Sequence, residues 1–217
     1  AKEFTGKVVY NKWQGFVKQK ALGLSLCQEE WALNLDADEV VSPELRKEIE
    51  DVIGTDTTDK KGINGFYLSR VVFYLGKWWR KGTWYPEYRL RLVRKSATVW
   101  GGNDPHEKAI VKGKTASLKC ELLHYSFRDI SDQIARLNDY STKSADNMFS
   151  RSVRFSLLKL FLRPLFHFIK SYIFKRGFRE GLAGFTVACF EAYYVYLKYI
   201  KLWEHYQNAK AKNGSEV

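Results

Sequence analysis

Two carboxylates one residue apart, Asp36 and Asp38, follow directly on the nearly continuous apolar run Trp31-Ala32-Leu33-Asn34-Leu35. In an extended chain side chains alternate with period two, so both would point the same way and could meet one metal ion or one metal-bound diphosphate. Mg2+ and Mn2+ favour such hard oxygen donors, usually one or two carboxylates together with substrate phosphates. A metal held in this way neutralises a diphosphate as it leaves. An Asp-x-Asp triplet alone is common in solvated loops. Its place after a hydrophobic strand sets this one apart, because ligands of open α/β sheets bind at the C-terminal edge of the strands.

The run 31–35 reads as a buried central strand. Around it, Lys7 to Tyr10 reads as a short strand and Gln14 to Leu26 as a helix. Ser42-Pro43-Glu44 opens a second helix that runs to about Ile53: Ser as N-cap, Pro in the first turn, Glu on the positive end of the dipole. Gly54 to Gly62 is a polar loop. Gly65 to Leu75, Arg89 to Arg94 and Leu118 to His124 read as strands, and Trp100 to Pro105 as a turn-rich loop. From Ile130 the chain is helical, with Pro164 predicting a kink or two helices, and the last residues, Ala209 to Val217, look frayed.

The formal charge of +12 points to phosphate-bearing partners, and seven Trp, thirteen Tyr and fourteen Phe point to flat ligands, a lipid interface or an aromatic core. No acidic residue occurs between Asn147 and Arg179, a window that holds Arg151, Arg154, Lys159, Arg163, Lys170, Lys175, Arg176 and Arg179. These cations are interleaved with Phe and Leu, which suits an anionic membrane surface better than a nucleic-acid groove; packing on the rest of the protein is the alternative. Leu182 to Ile200 nearly reaches spanning length, but Glu191 at its centre favours a helix lying against a membrane or a neighbouring helix. Three widely spaced cysteines, Cys27, Cys120 and Cys189, suggest reduced thiols facing the cytosol, and the polar first twenty residues do not resemble a signal sequence.

The stretch from Trp31 to Leu45, with its Leu-Asp-Ala-Asp-Glu core, resembles the metal-binding segment of family 2 glycosyltransferases of the GT-A fold, more narrowly their lipopolysaccharide core-biosynthesis branch. Gly15 to Lys20 followed by Ala21-Leu22, Trp84 to Leu92, Trp100-Gly101-Gly102 through His106-Glu107, and His124-Tyr125-Ser126 resemble further family segments in the same order. The resemblance implies an α/β fold: a GT-A-type, partial Rossmann-like mixed sheet over 1–129 and a C-terminal amphipathic, membrane-associating helical region over 130–217. The family opens with a strand-helix-strand unit that cradles the nucleotide base. Nothing here corresponds to it, so the chain is expected to enter that fold late, with an incomplete nucleotide pocket.

The implied activity is inverting, metal-dependent transfer of a hexose from a UDP-sugar to a lipid-linked glycan acceptor, the lipopolysaccharide inner core. The implied place is peripheral, on the cytoplasmic face of the bacterial inner membrane. Asp38 is the expected Mg2+ or Mn2+ ligand, with Asp36 on the ribose or a metal-bound water. Lys20 matches a position whose cation approaches the base and diphosphate. Glu107 matches the position of the base that deprotonates the acceptor hydroxyl, with Asp104, three residues before it, as the fallback; either can instead cap a turn. His124 is a candidate for the metal shell or a diphosphate oxygen, or a structural histidine. Arg89 and Arg91, on one face of a strand, could hold acceptor phosphates bidentately or be surface charges. Trp84, with Trp78 and Trp79, could stack on sugar rings or pack in a core. A polyprenyl-phosphate glycosyltransferase and a non-catalytic, membrane-tethered glycan-binding module are the alternatives; nucleic acid is not an expected partner.

Overall fold

A computed structural model describes residues 3, 5–103 and 106–214. In chain order its elements are α1 (Phe16–Leu26), β1 (Trp31–Leu33), β2 (Glu39–Val41), α2 (Pro43–Ile53), α3 (Asp56–Lys61), β3 (Ile63–Tyr74), β4 (Lys77–Trp79), β5 (Glu87–Arg94), β6 (Thr98–Asn103), β7 (His106–Val111), β8 (Lys114–His124), α4 (Ile130–Ser150), α5 (Leu157–Ile169) and α6 (Gly181–Gly214). One sheet has the order β1-β5-β3-β8-β2, with β4 paired to β3, and β6 and β7 form a separate hairpin. Contacts divide the chain into two compact units, Ala1–Arg70 with Tyr88–Leu122 and Val71–Glu87 with Leu123–Val217.

In the first unit, Leu45 and Ile49 of α2 pack on Phe66, Leu68, Leu92, Leu118 and Leu122. These strand residues alternate with polar neighbours, so one face of the sheet is apolar and the other is left for chemistry. The Ser42 hydroxyl accepts from the Leu45 N–H at 3.1 Å and Pro43 occupies the first turn, which fixes where α2 starts. The carboxylate of Glu48 accepts the N–H groups of Lys119 and Cys120, both at 2.8 Å. A helix side chain thereby satisfies two N–H groups of the β8 backbone.

β1 is antiparallel to β5, with Trp31 opposite Arg94 and Leu33 opposite Leu92. The 31–35 segment is therefore an end strand in this order and pairs over three residues only, where a central strand was expected. Five residues then connect β1 to β2 at the other end of the order. Four strand spacings are about 19 Å, close to the full reach of that link, about 20 Å. The link contains a turn, with the Glu39 N–H donating to the Asp36 carbonyl at 3.0 Å, so the sheet must curl for the chain to cross it. This crossing carries the carboxylates over β5 and β3.

Two further expectations change. Residues 7–10 form no strand: Val9 and Tyr10 are exposed and offer no face to bury. Most of the expected loop at Trp100 to Pro105 is β6, paired to β7 from Thr98–Val111 to Asn103–His106. Its glycines answer to geometry inside a strand. Gly102 has φ +97°, and a Cβ on Gly101 would sit 2.8 Å from the Ile110 side chain.

The second unit holds the β4 hairpin and the three long helices. Leu75 and Gly76 both have positive φ and form its two-residue turn. Tyr74, Trp79, Val72 and Val187 make one core; Leu160, Val195 and Tyr199 make another. α5 continues through Pro164 as one helix, and α6 runs on to Gly214 where fraying was expected. A Cβ on Gly184 would collide with the Gly177 carbonyl, so this pair of glycines lets the chain double back from α5 into α6. Among the described residues no helix is long and apolar enough to cross a membrane.

Glu191 of α6 is mostly buried and accepts the Trp84 indole N–H at 2.7 Å. Burial pushes its carboxyl above the usual range, only partly offset by hydrogen bonds from Trp84 and Thr83 and by the charge of Lys170. A carboxyl raised in the folded state contributes its stability at low pH and loses it as pH climbs from the ordinary value near 4.5 through the folded value. Glu191→Gln keeps an acceptor for Trp84 and removes the buried charge. It is expected to stabilise the protein at pH 7 and to flatten the fall in stability as pH rises past the ordinary carboxylate value, read from urea titrations at several pH values. An unchanged pH profile would contradict a strained carboxylate at this position.

Candidate active-site cleft

The register of β1 against β5 continues one step past the strand, where the Asn34 N–H donates to the Arg91 carbonyl at 2.8 Å. This sets the turn at Asp36 beside the Arg91 side chain. On β5, Arg89 and Arg91 share one face while Leu92 points into the core. The 520 Å3 cleft on the polar side is lined by Lys20 of α1, Asp36, Tyr67 and Arg70 of β3, Tyr88 to Arg91 of β5, and Trp100 with Glu107 to Ala109 of the β6–β7 hairpin. All of these lie in the first unit.

At the base of the cleft Arg91 binds both Asp36 and Glu39. Arg70 adds a second cation to Glu39 at 3.2 Å, and the Asp36 N–H donates to the other Glu39 oxygen at 3.0 Å. Glu39 has a fully buried side chain and that of Arg91 is 6% exposed. Two guanidinium groups and a backbone N–H around one carboxylate are what keeps such a charge tolerable in the interior. The Nε of Arg91 and the Nδ2 of Asn34 are buried without a hydrogen-bond acceptor among the described residues.

Above this pair, the Lys20 ammonium lies 3.2 Å from Asp36 and 3.1 Å from Glu107, with the Trp100 ring centre 5.3 Å away. One cation thus ties the turn after β1 to the β6–β7 hairpin. Partial burial pushes the Asp36 carboxyl upward, but Arg91 and then Lys20 more than offset it, and the net effect holds it below its ordinary value. Asp36 is therefore an anion at neutral pH. Counting side chains that line the cleft, Lys20, Arg70, Arg89, Arg91 and Lys108 outnumber Asp36 and Glu107, which suits an anionic ligand.

The period-two argument for Asp36 and Asp38 does not hold. Ala37 and Asp38 form a turn, so the two carboxylates are not on one face of an extended strand. Asp36 lines the cleft; Asp38 is half-buried in the turn and is not among the lining residues. Hard oxygens from this segment still fit Mg2+ or Mn2+ in its usual mode, with substrate phosphates as the remaining ligands. Among the described residues no group of three or more His, Cys, Asp or Glu side chains is arranged to hold a metal alone.

Of the other expected site residues, Arg89 lines the cleft and Asp104 lies outside the described residues. His124 and Trp84 belong to the second unit. There His124 is buried, with the Ser126 hydroxyl 2.8 Å from Nδ1, and the Trp84 ring lies against Tyr74, Trp79 and Phe127 with its N–H on Glu191. The residues given no role from sequence were Arg70, Tyr67 and Lys108, together with Glu39, Tyr88 and Trp100, which stood only within the family-like segments. Arg70 had a visible sign, an arginine inside a largely apolar strand. Glu39 stood within the acidic motif but is used differently, to hold Arg91.

No family model matches the chain. It is similar to curated bacterial proteins over almost all of its length. It is 27% identical over 215 residues to an uncharacterized glycosyltransferase of Rickettsia typhi, covering 94% of this chain and 72% of that protein. It is 26% identical over 202 residues to the lipopolysaccharide core biosynthesis glycosyltransferase LpsC of Rhizobium meliloti, covering 92% and 73%. It is 27% identical over 224 residues to an uncharacterized glycosyltransferase of Rickettsia conorii, covering 98% and 77%. These matches span both compact units, including the cleft with its Lys20, Asp36 and Glu107; the proteins this chain resembles are glycosyltransferases, one of them named for lipopolysaccharide core biosynthesis.

Proposed function

We propose that the protein is an inverting glycosyltransferase that moves a hexose from a UDP-sugar to a lipid-linked glycan, the lipopolysaccharide inner core, with the first unit forming a GT-A-type catalytic domain. The observation that carries this is Lys20 held between Asp36 and Glu107. It brings a cation for the diphosphate, a carboxylate of the acidic turn and a second carboxylate for the acceptor to one end of one cleft. Kinship with a lipopolysaccharide core biosynthesis enzyme supports the choice of acceptor.

In this scheme the acceptor hydroxyl loses its proton to the Glu107 carboxylate as its oxygen bonds to the anomeric carbon. The bond from that carbon to the diphosphate oxygen breaks on the opposite side, so configuration inverts and UDP leaves. Lys20 offsets the charge that grows on the diphosphate, and Arg91 keeps Asp36 ionised. Asp38 would hold Mg2+ or Mn2+, with Asp36 on the ribose or a metal-bound water; the metal, when bound, supplies further neutralisation of the leaving group. Arg89 and Lys108 on the cleft wall would meet anionic groups of the substrates.

Asp38→Ala is the direct test of the metal assignment. The variant should retain its circular dichroism spectrum and lose metal-stimulated transfer of labelled hexose from a UDP-sugar. Transfer that remains metal-stimulated at the parent rate would remove Asp38 from the site.

A further inference from the structure

The apolar face of α5 and of the turn that follows it has no covering within its unit. Only Leu160, Pro164, His167 and Phe168 of this helix turn inward or sit half-buried. Leu158, Leu162, Leu165 and Ile169, spaced four, three and four residues apart, form one outward row. Phe161, 64% exposed, widens it. Past the helix end Ile173, Phe174 and Phe178 are exposed as well, and the first turn of α6 adds Leu182, 82% exposed. An apolar patch of this extent on a folded unit marks an interaction site.

The charge around the patch selects the occupant. Lys159, Arg163 and Lys170 form the row next to the leucines, and Lys175, Arg176 and Arg179 adjoin Phe174 and Phe178 along the chain. The one acid in the connecting turn, Glu180, is bound by Lys77 and Lys81 and is little exposed. Positive charge is concentrated enough that His167, lowered first by burial, is lowered further by Lys198, Lys170 and Arg163. A second copy of this face would set cations against cations. A surface that is apolar in the middle, cationic at its margin and without uncompensated acid complements a bilayer of anionic phospholipid.

We propose that the outer face of α5, the turn after it and the start of α6 form a one-sided membrane anchor. The Leu and Phe side chains enter the acyl boundary and the Lys and Arg side chains engage lipid phosphates, with no segment crossing the bilayer. This holds whether or not the protein transfers sugar, because every residue involved belongs to the second unit while Lys20, Asp36 and Glu107 belong to the first.

The test is flotation of the full chain with vesicles of phosphatidylglycerol and phosphatidylethanolamine, against vesicles of phosphatidylcholine alone. The parent protein should float with the first and stay behind with the second. Each cation near such a surface multiplies affinity roughly five-fold, so combining Lys159→Gln, Arg163→Gln and Lys175→Gln should weaken binding about a hundred-fold. Phe161→Ser with Leu165→Ser and Phe174→Ser should abolish flotation without changing circular dichroism, since all three side chains are exposed. Equal binding to neutral vesicles, parent-like binding by either variant, or no flotation by the parent would overturn the proposal. A dimer of the parent in sedimentation that the serine variant reduces to monomer would assign the face to a second copy instead.

Discussion

Glu107→Gln is expected to lower turnover by about 10^2–10^4-fold while leaving UDP-sugar affinity within a few-fold of the parent. The amide is nearly the same size as the carboxylate, so it stays in place on β7 opposite Gly102. It cannot take the acceptor proton. Lys20 keeps its ion pair with Asp36 in the variant, so the cation meant for the diphosphate remains positioned. Initial rates set against calorimetric donor affinity separate the two effects. A fall in affinity equal to the fall in rate would make Glu107 a donor-binding residue. Undiminished turnover would pass the role of base to Asp104.

Arg91→Met is expected to cost about 3–5 kcal/mol of stability, measured by urea denaturation. The side chain is close in length and apolar, so packing is largely kept and the loss is electrostatic. Glu39 would be left as a fully buried carboxylate with Arg70 still beside it at 3.2 Å, a charge that one cation and the interior do not adequately solvate. Asp36 would lose its strongest partner, and its carboxyl should titrate closer to the ordinary value. Adding Glu39→Gln to the Arg91 variant should recover roughly half of the lost stability, because the unpaired charge is then gone. A loss under about 1 kcal/mol for the single variant would show that Glu39 is not held as a buried anion.

What the sequence disclosed follows from what local rules can carry. The Ser42-Pro43-Glu44 start, the alternation through 65–74 and 89–94, and the helical C-terminal third are written in capping and periodicity, and the structure has them. Lys20, Asp36, Arg89, Arg91 and Glu107, picked out by residue type and by likeness to a family, all line one cleft. What depends on long-range pairing was not legible. The place of β1 at the end of the strand order is set by partners sixty residues away. The use of Gly101 and Gly102 inside a strand depends on Ile110 and on φ, while a glycine pair in sequence reads as a loop. The pairing of Arg91 with Glu39, across more than fifty residues, exists only because the chain between β1 and β2 crosses the sheet. Alternation along a strand predicts which face a side chain takes, and for Asp36 and Asp38 it fails because that segment is a turn.

The most direct test is transfer of radiolabelled hexose from a UDP-sugar to lipopolysaccharide inner-core lipid, run with Mn2+ and with chelator, on the parent protein and on Glu107→Gln. The expected result is labelled lipid from the parent with Mn2+ and almost none from the other three reactions, with inverted anomeric configuration in the product. Equal labelling by parent and Glu107→Gln, or a product that retains the donor's configuration, would contradict an inverting transferase built on Lys20, Asp36 and Glu107.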